Sequence, residues 1–282
     1  MITQLLRSPG TPEVGALLRR WRDRRGVSQL ELASRADSSA RHISFIETGR
    51  ARPSHTLLMR LAEQLDVPVR ERNTLLVAAG FAPVFPETPL NDPAMETLNG
   101  ELERLLAAHD PNPALVHDSL YNVVGANRSL LALVTGAGVA DHLMQQPLNT
   151  MRLTLHPQGL APAIRNFAQW RAHLLEQMER QIAVSGSEAL AGLYEEVSAY
   201  PVPDGPSEPP ATGAAYALPL VIESEGRTLS FISMLTTFNT PLDVTVSELA
   251  IETFLPVDPE TAAALRDLVG EVRPPAPGPG SR

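Results

Sequence analysis

Apolar residues in the first part of the chain recur at the helical period. Val14, Leu17, Leu18 and Trp21 stand at i, i+3, i+4 and i+7, the pattern of a helix with one buried face, and Gly26 marks its end. Leu30, Leu32 and Ala33 belong to a second, short helix. Ile43 and Ile46 are the inward positions of a third, about Ala40–Thr48. Leu57, Leu58, Leu61 and Leu65 mark a fourth helix opening at Pro53-Ser54. Leu75 and Leu76 mark a fifth, about Val69–Ala79, stopped by Gly80. The segment FAPVFPETPLNDP then breaks the period with four prolines, so residues 83–93 read as a linker or extended strap between two domains.

Beyond the break the pattern mixes periods. Leu98, Leu102, Leu105 and Leu106 predict a helix over 94–109. Two β-prone runs, Ala114–His117 and Tyr121–Gly125, flank a polar turn at Asp118-Ser119, and a helix starts near Asn127. Long helices are predicted over 162–183 and 188–200, and the Pro-rich stretch 201–213 reads as a flexible surface loop. Period-two alternation is clearest at Leu218, Leu220 and Ile222, then at Leu229, Phe231 and Ser233, across a Glu225-Gly226 turn; Leu249, Ile251 and Thr253 continue it. A last helix covers about 259–269, and 271–282 reads as a disordered tail. The expected class is α+β: a helical domain over 1–82, then an antiparallel sheet with packed helices over 94–270.

The stretch from Ser28 to Arg50 carries the first candidate chemistry. Ser28 with Glu31 makes a capping box. Asp37 sits in the turn, where a left-handed backbone is tolerated by Asp better than by most residues, and Gly49 ends the third helix. A helix set across another in this way can enter a DNA major groove by its N-terminal end. The string SQ…LA…IS.IE.GR..PS resembles the helix–turn–helix of the xenobiotic-response-element, phage-repressor-like family over about 14–79. That resemblance implies a five-helix domain and double-stranded DNA as partner. The DNA-facing candidates are Gln29, Ser39, Ala40, Arg41, His42, Ser44 and Phe45, with Arg50 and Arg52 in the loop that follows.

Charge supports this division. The chain carries a net charge of −9, yet residues 1–82 carry +5 and the rest −14. A basic head on an acidic body is what a DNA-binding domain joined to another module looks like. Every basic residue is Arg, whose planar fork suits phosphate and guanine. Five of them crowd the first helix, at 19, 20, 22, 24 and 25, either as a solvated face or as phosphate contacts. There is no cysteine, no apolar run long enough for a bilayer span and no signal pattern, so the expected setting is the cytoplasm, away from membranes.

In the second half, strand, turn, strand and Asn-capped helix resemble the opening of a PAS sensor domain. The strings N.MRL.LHP.GL, N…W..HLL and LSF.S…TFNTP.DVT..ELAIE.F.P.D resemble the ligand-binding domain of MmyB-like transcription regulators. The resemblance implies a PAS-like sensor for a small, largely apolar molecule, with fatty acids the known class. Asn166, Trp170 and His173 share one helical face. With Asn149, Arg152 and His156 upstream, and Phe231 on the sheet, they are the candidate ligand-binding residues, the polar members forming one end of a cavity. No G-x-S-x-G elbow, P-loop or H-E-x-x-H is present, and seven histidines without cysteine show no metal spacing, so neither catalytic residues, nor a metal, nor a cofactor are expected. The reading is a ligand-responsive, homodimeric transcription regulator. Two others stay open: a C-terminal domain that only dimerises or binds a protein, as in an antitoxin, and an enzyme fused to a DNA-binding head.

Overall fold

In the computed structural model, residues 13–203 and 217–271 are described. The chain divides into two units. One takes residues up to Thr88 together with 183–186 and 239–247; the other takes Pro89–Ile182, Ser187–Phe238 and the chain from Glu248 onward. The greater part of the expected loop at 201–213, and all but the first residue of the expected tail, lie outside the described residues.

The first unit opens with five helices: α1 (Val14–Arg24), α2 (Gln29–Arg35), α3 (Ala40–Glu47), α4 (His55–Gln64) and α5 (Val69–Ala78). Each of three serines starts a helix by accepting a backbone N–H: Ser28 from Glu31, Ser39 from His42 and Ser54 from Leu57. Half of the expected capping box forms; the Glu31 side chain pairs with Arg35. Asp37 takes the left-handed turn at φ 50° and Gly49 ends α3 at φ 72°. Leu18, Trp21, Leu32, Ile43, Ile46 and Leu58 fill the core. α1 crosses the end of α3 so closely that a Cβ on Gly15 would stand 2.2 Å from the Ile46 carbonyl oxygen.

The strap after α5 is tied down. Asn73 Oδ1 accepts from the Val84 and Phe85 amides at 3.1 and 3.2 Å, and its Nδ2 donates to the Phe85 carbonyl at 2.7 Å.

The second unit holds α6 (Glu96–His109), β1 (Ala114–His117), β2 (Val123–Ala126), α7 (Arg128–Gly136), α8 (Thr150–Leu155), α9 (Phe167–Ser185, its last residues counted with the first unit), α10 (Glu188–Ser198), β3 (Leu220–Ser224) and β4 (Arg227–Thr237). After α11 (Val244–Ser247), part of the first unit, come β5 (Ala250–Pro256) and α12 (Pro259–Glu271). The five strands form one antiparallel sheet in the order β2-β1-β5-β4-β3. Glu225 and Gly226 both have positive φ, 52° and 73°, which gives the hairpin a turn twisted to match its strands. The main core lies on one face, where Leu220, Ile222, Leu229 and Phe231 meet residues of α7–α10 and α12. The opposite face is covered by α6, whose Leu102 and Leu106 pack with Val116, Leu249 and Ile251.

Three boundaries differ from the periodicity. α9 starts at Phe167, five residues later than expected, because Ile164 bridges Ile222 and Asn166 bonds to the start of β3. β2 starts two residues late because Tyr121 turns the chain at φ 63°. β5 starts at Ala250 and not at the expected Ser247, because Asp243 Oδ1 accepts from Thr245 N at 2.8 Å, capping the short α11.

Candidate DNA-binding face and ligand cavity

The first candidate site is the outer face of α2 and α3. Arg41 and His42 are exposed at the start of α3, and Arg50 and Arg52 are exposed beyond its end; Ala40, Ser44 and Phe45 are half-buried. Ser39 is the N-cap, its hydroxyl committed to the His42 amide. The Arg41 and Arg50 guanidinium carbons lie 5.2 and 5.9 Å from the Phe45 ring centre. An aromatic flanked by two guanidinium groups keeps both near α3 while leaving their N–H groups toward solvent. The helix start adds unsatisfied amides, which favour anions such as phosphate.

Two residues at this face escaped the sequence reading. Leu30 is 72% exposed beside Gln29. Glu47 is the more consequential: its carboxylate accepts Gln29 Nε2 at 2.8 Å and is clamped by Arg22. Gln29 is thereby oriented by a neighbour on α3, with its remaining amide groups available. The arginine run of α1 splits into two kinds. Arg22 and Arg25 serve the fold, Arg25 through bonds to the Leu65 and Asp66 carbonyls. Arg19 and Arg20 are exposed.

The second candidate site is a cavity of about 80 Å³ within the second unit, between the sheet and the helices packed on it. Trp170 and Phe231, both expected at a ligand site, line it, with Leu130, Met144, Met151 and Ile222 among the apolar remainder. Its size exceeds what one water needs. Met144 and Met151 are flexible enough to make room for a longer occupant.

The other expected ligand residues are placed elsewhere. Asn149 caps α8 through the Met151 and Arg152 amides and donates to the Leu120 carbonyl at 2.8 Å. Arg152 makes a two-pronged ion pair with Glu196, at 2.7 and 2.6 Å. His156 packs edge-on against Tyr200 and His142; partial burial, with His142 adding to it, holds its imidazole below the usual range. Asn166 latches α9 to β3, donating to the Pro219 carbonyl at 2.7 Å and accepting from the Val221 amide at 3.1 Å. His173 leans on Trp170 without lining the cavity. A buried amide pairs with backbone before it waits for a ligand, and a surface arginine finds a carboxylate.

The polar corner lies instead at β5. Glu252 lines the cavity and accepts a hydrogen bond from Ser233 Oγ. Burial drives its carboxyl above the ordinary range, against the hydrogen bond from Ser233 and the nearby His117. Tyr121, stacked on His117 at 5.0 Å, is pushed up to about 12 by burial, with Glu252 adding to it.

A helix–turn–helix over residues 13–75 matches the helix-turn-helix domain family, and residues 98–268 match the family described as MmyB-like transcription regulator ligand binding domain. The second match spans more than half of the chain. The protein belongs to the MmyB-like transcription regulators, with a helix-turn-helix domain ahead of the ligand-binding domain. Curated proteins yield no match. Two solved structures are similar in part. The clp gene regulator ClgR from Corynebacterium glutamicum is 28% identical, over 35% of this chain and 90% of that one, with a TM-score of 0.21. An RNA-binding light-oxygen-voltage receptor is 17% identical, over 92% of this chain and 62% of that one, with a TM-score of 0.27. Those scores are too low to define a shared overall fold. Among the described residues no helix is long and apolar enough to cross a membrane, and no three His, Cys, Asp or Glu side chains are grouped to hold a metal ion.

Proposed function

We propose that this regulator is a sequence-specific, cytoplasmic homodimer whose head, residues 1–82, reads DNA with Gln29, Arg41 and the exposed start of α3. Residues 94–270 sense a small apolar molecule with an alkyl body, the fatty-acid kind that the family resemblance implies, and occupancy shifts the head's affinity for its operator. The observation that carries the reading is the apolar cavity inside a domain of a ligand-binding family. A domain built only to dimerise has no need of that space. The strand order β2-β1-β5-β4-β3, with helices over one face, supports the PAS-like description. No catalytic role is part of the proposal.

The coupling has a thermodynamic condition. A ligand shifts DNA affinity only if it binds the DNA-competent and incompetent states unequally. Calorimetry with alkyl ligands of graded length, with and without operator DNA, tests both points. Affinity should rise with each methylene, up to about 0.8 kcal/mol apiece, and change when DNA is present. No binding at any length would falsify the sensor reading.

A further inference from the structure

The cavity wall is apolar almost throughout, and among the described residues Glu252 is the single ionisable one that lines it. Strand alternation puts it there. Leu249 and Ile251 face α6, so Glu252 and Phe254 fall on the cavity side of β5. Across the sheet Glu252 stands opposite Leu115 on β1 and Leu235 on β4. Neither offers a partner, and Ser233, opposite Phe254, supplies one hydroxyl.

A second polar atom waits at the same corner. His117 pairs with Ala250, two residues before Glu252, and is 4% exposed. Its Nδ1 lies 2.7 Å from the Asp118 carbonyl oxygen and donates to it, which leaves Nε2 as the ring's second polar atom. That Nε2 is buried without a hydrogen-bond partner. Tyr121 also stands near the corner; its hydroxyl donates to Gln181 Oε1 at 2.8 Å, and Gln177 and Arg180 of α9 act on it as well. Among the described residues no Arg lines the cavity to receive an anion.

We infer that Glu252 is the head-group receptor of the cavity and that it selects a hydrogen-bond-donating, non-anionic head, an alcohol or an amine, over a carboxylate. This rests on the sensor reading above and amends the head group that the fatty-acid class would bring. A hydroxyl can donate to the Glu252 carboxyl whether that group is charged or neutral. An ammonium pairs with its charged form. A ligand carboxylate meets either a like charge or a group with which it must share one proton, against a wall that is otherwise almost wholly apolar.

The test is calorimetry on the full chain with 1-octanol, octylamine and octanoic acid at about pH 7.5 and about pH 5.5, where the free acid moves toward its neutral form. At the higher pH the alcohol and the amine should bind about tenfold or more tightly than the acid, a margin of about 1.4 kcal/mol. The acid should gain on the alcohol as the pH falls. Glu252→Gln keeps the shape and should shrink the advantage of the amine to within about threefold of the acid. An acid that matches the alcohol at the higher pH overturns the inference while leaving the sensor reading intact; so does a head-group order unchanged in Glu252→Gln. If no head group binds, both fall. The order of the three ligands on the parent protein decides the matter even if the variant does not fold.

Discussion

Arg22 and Glu47 join α1 to the end of α3 by a forked ion pair, with Nε and Nη2 donating to the two carboxylate oxygens at 2.6 and 3.0 Å. The pair is buried: the side chains are 11% and 2% exposed. Arg22 Nη1 adds a bond to the Val27 carbonyl at 2.9 Å. Removing one partner strands a charge that water cannot reach. Arg22→Ala should cost the head about 3–5 kcal/mol. Replacing both partners by apolar residues should cost much less. Denaturant melts of the single and double variants check this; equal losses would show that the pair's geometry, and not its stranded charge, carries the effect.

Arg41 and Gln29 should separate on DNA. Arg41 is exposed at the start of α3 and can fork onto guanine O6 and N7, so Arg41→Ala is expected to lose about 1–3 kcal/mol on the operator and to relax base preference. Gln29 is held by Glu47, and its expected contact is backbone phosphate. Gln29→Ala should weaken all sequences by similar factors. Titrations on operator and scrambled duplexes distinguish them, and an unaltered Arg41→Ala would move the recognition surface elsewhere.

Phe231 is fully buried, meets Phe254 edge-on at 6.4 Å and lines the cavity. Phe231→Ala should destabilise the protein by about 3–5 kcal/mol, since the lost ring adds to a space already present. A ligand that fills the enlarged cavity should recover part of that loss, because binding to the folded state alone raises the melting temperature. Thermal melts with and without octanol follow it; a loss that no ligand reduces would argue for collapse of the site.

Glu252 makes stability depend on pH in a stated direction. An unfolded glutamate titrates near about 4.3, and burial holds this one higher in the fold. The folded state therefore binds the proton more tightly. The stabilisation this gives is complete below the unfolded value and is lost as the pH rises through the folded value. Parent stability minus that of Glu252→Gln should fall as the pH rises above the unfolded value, with a slope up to about 1.4 kcal/mol per unit. A flat difference would mean the carboxyl keeps its charge throughout.

The head was legible in the sequence because its signals are local. Caps at Ser28, Ser39 and Ser54, the left-handed Asp37 and the closing Gly49 act within a few residues of where they stand. The lining of the cavity was legible only in part. Trp170 and Phe231 line the cavity, and both are large apolar residues whose burial alone places them near the core. Arg152, His156 and Asn166 cluster in sequence, but each meets a partner from a distant part of the chain: Glu196, Tyr200 and β3. Glu252 carried a signal that the alternation of Leu249, Ile251 and Thr253 hid. That alternation marks the α6 side, so the phase between them faces the other helices. A sheet covered on both faces makes a glutamate in that phase conspicuous, but only once α6 is known to cover the first.

A tether with slack would let a sensing module and a reading head tumble apart, and whatever one experienced would be averaged away before it reached the other. The three hydrogen bonds between Asn73 and the Val84 and Phe85 backbone leave little slack at the start of this one. The strap is then a part of the head, and a Gly-Ser spacer of equal length in its place should loosen the head itself.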